Sequence, residues 1–298
     1  MMNMVDIVAR TIIPKFNPAS IYHYTSADGL KSILQSYNDE NKGKLWFSHY
    51  NYLNDYSELQ YICSVVKECL EDLRNENPVL YHIYKGKQGE VDFENRLSKH
   101  LSSLDVYVAS FSMEVDKLNM WLHYTKDQNS SGYCIEFQSF EFLSNMMKLN
   151  DGALLRGSPV IYDKNDQKAL ISSVLQTYDG QIYKPDELKD EERASFFQPI
   201  FELFSFFAPF IKHEAFAGEC EHRIICISPH PDCIMTRTKN GHFVPYIELY
   251  YDREKIKSIT CSPTLYQCPV EIGLKALLSA YELTSCEIKR SGIPFRSN

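Results

Sequence analysis

The sequence lacks an excess of basic residues and any long hydrophobic run. Its formal net charge is −8, which argues against binding nucleic acid through overall charge, although a local basic patch remains compatible with it. The most apolar run, residues 196–211, is too short to cross a bilayer and contains Pro199, Glu202 and Pro209. It predicts a buried helix or helix pair, with an exposed membrane or partner surface as the alternative.

Paired cysteines are also lacking. The nine cysteines are odd in number and form no CxxC motif, so their spacing argues against a disulfide framework and against a zinc site. Cys134 and Cys226 lie inside apolar runs, which indicates small core residues in a reducing compartment. No signal peptide is recognisable, because Asp6 and Arg10 interrupt the N-terminal segment. We therefore expect a cytoplasmic protein without a membrane partner.

What the sequence does contain is an interleaved series of strand and helix patterns. Its 298 residues, 44% of them hydrophobic, are enough for one large domain or two ordinary ones. Short alternating or β-branched apolar stretches predict strands. They cover residues 21–24, 45–48, 106–112, 133–137, 158–162, 219–227, 243–249, 256–261 and 286–289. We predict a single α+β domain over residues 1–298. Its mixed or antiparallel sheet core is built from both ends of the chain, with a helical insertion or cap at residues 140–212.

Polar residues at the end of the first predicted strand form the first candidate site. His23 lies within the alternating stretch of residues 21–24, and Thr25 and Ser26 precede a helix whose apolar residues follow at helical spacing. His23 is therefore expected near a strand end and a helix N-terminus, where mixed folds commonly bind anionic ligands. A buried, hydrogen-bonded histidine explains the same pattern.

Carboxylates mark the start of the next long helix. Asn54 and Asp55 precede Glu58 at the spacing of an N-cap and its partner, so helix capping accounts for the two carboxylates. As an alternative, these two carboxylates combine with Glu219 and Glu221 as oxygen ligands of a hard cation. That combination predicts a metal-dependent hydrolase or nuclease.

Two serines and an aromatic pair form a third cluster. Ser110 and Ser112 share one face of a predicted strand. Trp121 and Tyr124 are three residues apart on a predicted helix, a spacing at which their rings can stack. The cluster is either an aromatic corner of the core or a shelf for a ligand.

The fourth cluster is an alternating segment of charged residues with apolar flanks, Glu219, Glu221 and Arg223. On a strand these side chains point to one face, about 7 Å apart at each step. Two carboxylates then line up beside a guanidinium, and Arg223 is placed to neutralise Glu221. A salt-bridged structural face is the alternative to a catalytic one.

Taken in order, these clusters carry a family resemblance. The runs HYT, LKSIL, LWFS and LNDYSE, the segments ASFS, MWLHYT and GYCIEF, the segment KHEAFAGECEHRI and the terminal SGIPFR together resemble a bacterial family known as domain of unknown function 2971. The resemblance covers most of the chain and is weakest between residues 140 and 205. It implies a family without implying an activity.

A second, looser resemblance does imply an activity. The order of His-x-Thr, Ser-Phe-Ser and Glu-x-Glu is similar to that of the ADP-ribosyltransferase superfamily, especially the toxins that ADP-ribosylate DNA bases. In that superfamily a first-strand histidine or arginine holds an NAD ribose and an aromatic ring stacks on nicotinamide. A glutamate on a late strand hydrogen-bonds the ribose whose glycosidic bond breaks. The resemblance therefore implies an ADP-ribosyltransferase-like fold and NAD as co-substrate.

The same resemblance implies roles for individual residues. His23 would bind ribose, Glu221 would be the catalytic glutamate, and Glu219 would orient the acceptor. Either Ser110 or Ser112 would be the middle-strand serine, and either Tyr24 or Tyr124 would stack on nicotinamide. The full cofactor-binding set implied is His23, Tyr24, Thr25, Asn54, Ser110, Ser112 and Tyr124.

Three function classes follow from these patterns. The first is an NAD-dependent ADP-ribosyltransferase or NAD glycohydrolase, as a toxin or antiphage effector whose acceptor is nucleic acid, protein or water. The second is a non-catalytic binding or regulatory module of a bacterial defence or stress system. The third is the metal-dependent hydrolase or nuclease. The sequence indicates no oligomeric state.

Overall fold

A computed structural model describes most of the chain. It covers residues 18–35, 41–55, 57–85, 92–124, 131–176, 190–263 and 267–294. The chain divides into two compact units. The sheet unit contains Asn17–His49, Val106–Pro159 and Gly218–Asn298, and the helical unit contains Tyr50–Asp105 and Val160–Ala217.

Strands and helices are interleaved along the described residues. The strands are β1 (Ser20–Ser26), β2 (Lys42–His49), β3 (Val106–Ser112), β4 (Gly132–Gln138), β5 (Leu154–Pro159), β6 (Glu221–Ile227), β7 (Met235–Lys239), β8 (His242–Asp252), β9 (Ile256–Cys261) and β10 (Glu287–Arg290). The helices are α1 (Ala27–Leu34), α2 (Tyr61–Glu76), α3 (Pro78–Lys85), α4 (Phe93–Ser102), α5 (Leu118–Tyr124), α6 (Ser139–Leu149), α7 (Lys164–Gln176), α8 (Asp190–Phe207) and α9 (Gln267–Ala280). All ten strands belong to the sheet unit.

The sheet branches at β3. One edge of β3 pairs along its whole length with β6, which in turn pairs with β5. Two strands share the other edge. Val108 pairs with Ser48 of β2, and Ser112 pairs with Tyr22 of β1. The sheet continues from β1 through β4 and β9 to β10, and from β2 through β8 to β7. Two wings of the sheet therefore diverge beside Ser110, which lies between these two pairs.

The strand register assigns each residue to one of two faces. Directly opposed residues share a face, and neighbours along a strand point to opposite faces. The core face carries Ile21, Phe111 and Ile224, which are buried in one hydrophobic cluster with side chains of α1, α6 and α9. The opposite face, here called the polar face, carries Ser112 and Glu221. Most of the apolar driving force in this unit therefore acts on one side of the sheet.

The helical unit has an aromatic core. Phe197 and Phe204 of α8 are fully buried. The Phe93 ring lies 5.0 Å from the Phe197 ring and 4.9 Å from the Tyr84 ring, centroid to centroid. Most of the apolar run at residues 196–211 is thus a buried helix, as predicted. Among the described residues, no helix combines the length and apolar character needed to cross a membrane.

The predicted mixture of helices and strands, with a mostly antiparallel sheet, is confirmed. The predicted insertion at residues 140–212 differs from the structure in two ways. The helical unit also includes α2 to α4, from before that range, and β5 lies within the range but pairs with β6. The sequence predicted a strand at residues 158–162, whereas β5 runs from Leu154 to Pro159, because proline has no N–H with which to continue the pairing.

The cysteines are free thiols at all nine positions. Cys134 and Cys226 are buried, as predicted, whereas Cys233 and Cys268 are exposed. The prediction that cysteines are core residues therefore holds for the two in apolar runs but not for every cysteine.

Candidate functional site

The first strand-borne part of the candidate site is a row across three strands on the polar face. Tyr22 of β1 lies opposite Ser112 of β3, and Ser112 lies opposite Glu221 of β6. One step further along β3, Ser110 lies opposite Arg223. The structure therefore brings both predicted serines to the same face as Glu221.

Glu221 and Arg223 form a buried ion pair. The Nε of Arg223 donates to Oε1 of Glu221 at 2.9 Å, and the two side chains are 1% and 5% exposed for arginine and glutamate respectively. Both groups have lost most of their hydration, so each depends on its partner. The pair anchors the Glu221 carboxylate on the polar face.

Glu219 does not lie on the strand, contrary to the sequence prediction. A 3₁₀ segment, Glu214–Glu219, ends at this residue, and β6 begins only at Glu221. Cys220 between them has a φ of +46°, a conformation that non-glycine residues adopt at an energetic cost. The alternation of charges predicted a continuous strand because the sequence carries no signal for this kink.

The kink nevertheless leaves Glu219 beside the strand-borne groups. Ser112 Oγ donates to the Glu219 carbonyl at 2.9 Å. Tyr124 Oη donates to Glu219 Oε1 at 3.3 Å. Burial raises the pKa of Tyr124, and the nearby carboxylates of Glu219 and Glu221 raise it further. The phenol therefore stays protonated and remains a hydrogen-bond donor at neutral pH. Ser112, Tyr124, Glu219, Glu221 and Arg223 are called the Glu221 cluster below.

Tyr24 lies on the same face but is fully engaged by its surroundings. Its hydroxyl donates to the Glu114 carbonyl at 3.1 Å and accepts from the Lys117 amide at 3.1 Å. Its ring makes an edge contact with Trp121, with centroids 4.7 Å apart. Burial raises its pKa. Of the two tyrosines considered for stacking, Tyr124 is the one that contacts the Glu221 cluster.

His23 lies on the opposite side of the sheet from Glu221. It follows Tyr22, so its side chain points to the core face, where its ring centroid lies 5.5 Å from that of Phe111. Its Nδ1 lies 3.0 Å from the Ser110 carbonyl oxygen. Because that oxygen only accepts, Nδ1 carries the proton. Burial lowers the pKa of His23, so the ring is neutral at neutral pH.

This geometry corrects the expectation that His23 and Glu221 line one site. The imidazole bonds the β3 backbone where β1 and β3 diverge, so it holds the branch point of the sheet. Thr25, two residues on, shares the core face and packs against the start of α1. A Cβ on Gly29 would come within 2.0 Å of its Oγ1. The sequence could not reveal that His23 and Thr25 point to the core face, because the face that a strand residue occupies depends on the pairing register rather than on the residue type.

Asn54 belongs to the helical unit, where it is exposed in a turn. Its neighbours do not cap the helix as predicted, because α2 begins only at Tyr61. Asp55 instead accepts through Oδ1 from the amide and hydroxyl of Ser57, at 2.8 and 2.6 Å. The described residues include no cluster of three or more His, Cys, Asp or Glu side chains arranged to ligate a metal ion.

Asp116 was missed as an organiser of this region. Its φ is +57°, and α5 begins two residues later, at Leu118. Its Oδ1 accepts from Trp121 Nε1 at 2.9 Å and from Ser291 Oγ at 2.6 Å, and its Oδ2 accepts from the Gly292 amide at 2.7 Å. It thereby joins the helix behind Tyr24 to the segment that follows β10. Ser291 and Gly292 belong to the SGIPFR motif, which was the sequence signal for their contact with Asp116.

With this geometry in place, comparison with known proteins adds one match. Residues 120–224 match the family model described as protein of unknown function (DUF2971). The predicted resemblance to this family is confirmed over that stretch. The matched stretch, about a third of the chain, contains Tyr124, Glu219, Glu221 and Arg223 of the Glu221 cluster. Comparison with curated proteins found no match. Comparison with solved structures found none either.

Proposed function

We propose that the chain is an NAD-dependent ADP-ribosyltransferase or NAD glycohydrolase with an ADP-ribosyltransferase-like sheet and Glu221 as its catalytic carboxylate. The observation that carries the proposal is the Glu221 cluster. A carboxylate fixed by Arg223 shares one sheet face with Ser112, and Glu219 and Tyr124 lie beside it. The strained φ of Cys220 at its centre is typical of functional sites.

The proposed chemistry needs a fixed negative charge. When the bond between nicotinamide and ribose C1′ breaks, nicotinamide leaves with the electron pair and the ribose becomes oxocarbenium-like. A carboxylate held beside that carbon stabilises the positive charge, more strongly in a dry site than in water. Arg223 holds the Glu221 carboxylate in one position. The acceptor then attacks C1′ and loses a proton.

The other groups take supporting roles in this proposal. Glu219, held by the hydroxyl of Tyr124, is placed to orient the acceptor and take its proton. The Tyr124 ring is the proposed nicotinamide platform, since Tyr24 is held by Trp121 and two backbone groups. His23 becomes a positioning residue. It fixes the β3 backbone at Ser110 from the core face and does not touch the ribose.

The buried ion pair also favours a second candidate, a non-catalytic binding module. An arginine that neutralises a glutamate inside a sheet is a common structural element. In that case the cluster would bind a ligand or only hold the sheet together, and no turnover would depend on Glu221. The experiment below separates these outcomes.

The test is release of nicotinamide from NAD by the purified chain, by the Glu221→Gln variant and by a matched control. Glu141→Gln is a suitable control, because Glu141 is exposed on α6. We expect Glu221→Gln to lower the rate on the order of 10²- to 10³-fold, the loss typical of one preorganised electrostatic group. The control should retain full activity.

Three results would decide against the proposal. Full activity of Glu221→Gln would remove its catalytic role. Activity abolished by EDTA would favour the metal-dependent hydrolase or nuclease. No nicotinamide release, together with no NAD-induced shift in melting temperature, would leave the non-catalytic binding module.

A further inference from the structure

A surface of the sheet unit carries an exposed indole, a guanidinium that lies over it and a second aromatic ring. Trp46 and Ser48 lie on β2, Tyr246 on β8 and Arg237 on β7. These four residues are called the Trp46 shelf. We propose that the Trp46 shelf binds single-stranded nucleic acid, with a base stacked on Trp46 and a phosphate held by Arg237. The proposal does not depend on NAD chemistry at Glu221.

The shelf is built by strand register. Ser48 lies opposite Val108 of β3 and opposite Tyr246 of β8. Val108 and Ser112 are four residues apart on β3, so they point to the same face of the sheet. The shelf therefore lies on the polar face, which also carries Glu221. On the core face beneath it, Phe47 and Ile247 are buried. The shelf is therefore supported by a packed sheet rather than by a loop.

The Arg237 guanidinium lies over two aromatic rings. The Cζ of Arg237 lies 5.0 Å from the Trp46 ring centroid and 5.9 Å from that of Tyr246. The two rings are 4.8 Å apart. Nη2 of Arg237 donates to Ser48 Oγ at 2.8 Å. The Nε is buried and has no hydrogen-bond partner among the described residues, so a phosphate would be held by the terminal nitrogens of the guanidinium. A guanidinium fixed in this way is preorganised for the oxygens of a phosphate.

The local charge is positive although the chain is acidic overall. Arg237 and exposed Lys239 follow each other on the polar face of β7. Lys44 pairs with Glu248 at 2.6 Å, and Glu248 also accepts from Trp46 Nε1 at 2.8 Å. Lys44 thus neutralises the Glu248 carboxylate. The positive charges of Arg237 and Lys239 can then attract an anionic partner.

An exposed indole beside cations selects the occupant. Trp46 is 38% exposed, which is unusual for so large an aromatic residue on a strand. Bases of a single strand present free π-faces to such a ring, and every base can stack, so binding would be tolerant of sequence. A duplex hides those faces. An acidic peptide would use the cations and gain little from the ring.

The test is direct binding of fluorescein-labelled oligothymidylate and oligouridylate of about 12 nucleotides, within the usual site size, followed by fluorescence anisotropy. We expect Trp46→Leu to raise Kd about 10-fold, within the range for loss of one stacked base. Trp46→Phe should restore most of the affinity. Arg237→Gln should reduce the slope of log Kd against log salt by about 0.7, the contribution of one phosphate contact.

Two controls are matched to the shelf. Phe140→Leu removes an aromatic ring that is 74% exposed on α6, and Lys31→Gln removes an exposed charge on α1. Neither should change Kd. A test without substitutions uses tryptophan fluorescence. Trp121, the other tryptophan, is only 3% exposed, so quenching of the native chain by unlabelled oligonucleotide would report on Trp46.

The proposal fails if oligonucleotides neither bind at about 50 mM salt nor quench the native chain. It also fails if folded Trp46→Leu and Trp46→Phe both bind like the native chain. Binding of phosphatidylserine vesicles or of a polyglutamate peptide, with no binding of oligonucleotides, would replace it by a membrane or protein surface. Nicotinamide release is a separate readout, so either proposal can fail without the other.

Discussion

At the scale of single residues, the segment Glu221-His222-Arg223 shows how a strand distributes consecutive polar side chains. Glu221 and Arg223 share the polar face and pair with each other. His222 between them must then point to the core face, where it is 2% exposed and neither ring nitrogen has a hydrogen-bond partner among the described residues. A Cβ on Gly157 would lie 3.3 Å from its ring, so the imidazole is closely packed. Burying it unpaired costs free energy.

His222 should make the stability of the fold depend on pH. Burial lowers its pKa from 6.5 to about 4, so between these values the unfolded chain binds a proton that the folded chain does not. Stability should therefore fall as the pH drops from about 6.5 to about 4, by roughly 3 kcal/mol from this residue. We expect His222→Leu to remove that part of the loss, as measured by urea unfolding at a series of pH values.

A matched control for that series is His242→Leu, because His242 is exposed. Its pH dependence should match that of the native chain. If His222→Leu follows the native curve as well, then His222 is not the group that titrates in this window.

At the scale of elements, the packing of α1 against β2 and β8 depends on a glycine. The hydroxyl of Tyr251 on β8 donates to the Ile33 carbonyl of α1 at 3.2 Å. To do so it crosses Gly43 of β2, where an added Cβ would lie 2.5 Å from Tyr251 and 2.7 Å from the Ile33 carbonyl oxygen. Since one obstacle is backbone, a side-chain rotation cannot relieve the clash. The absence of a side chain at Gly43 is what allows this helix to approach the sheet.

We therefore expect Gly43→Ala to destabilise the chain by about 1–3 kcal/mol, the cost of overpacking. Gly273→Ala is the matched comparison, because Gly273 lies in α9 with open space around it. That change should stabilise by up to about 1 kcal/mol through helix propensity. Opposite shifts in melting temperature would support this account, and a loss of stability in both variants would contradict it.

At the scale of the whole molecule, one carboxylate connects the last strand to distant strands of the sheet unit. Glu136 of β4 accepts from Ser20 of β1, from Ser258 of β9 and from Lys289 of β10, and it pairs with Lys257. Burial raises the pKa of Glu136, but the hydrogen bonds from these partners outweigh it and hold the pKa at about 2. One carboxylate thus connects four strands that are far apart in sequence.

Removal of residues 287–298 should show how much the contacts of β10 contribute to the free energy of unfolding. It deletes β10, the Lys289 contact with Glu136 and both contacts of Asp116 with residues 291 and 292. We expect a loss of at least about 2 kcal/mol in the free energy of unfolding, since a bond to a charged group contributes about 1.5–3 kcal/mol. Urea unfolding would measure it.

The comparison for this truncation is removal of residues 295–298, which lie outside the described residues. If the longer deletion unfolds at the same urea concentration as the shorter one, the contacts of β10 do not stabilise the sheet unit.

The predictions made from sequence succeed where local pattern dominates. Alternation and β-branching located β3 and β4 almost to the residue, and Ser26 does cap α1, accepting from the Gly29 amide at 3.2 Å. They fail where geometry depends on a turn that has no signature. Asp55 resembles a helix cap but closes a turn with Ser57, because Leu59 adopts a φ of +60° before α2 begins. The kink at Cys220 misplaced Glu219 for the same reason.

The sequence by itself determined the class of fold, a resemblance to a family over part of the chain and the residue types that could carry chemistry, because periodicity and short motifs are local properties. Only the tertiary structure decided which of these residues share a face. The register of β1, β3 and β6 joins Ser112 to Glu221 and sends His23 to the core, and the register of β2 and β8 forms the Trp46 shelf. A shift of one residue in pairing exchanges the two faces of a strand, and the packing of the whole core selects the register.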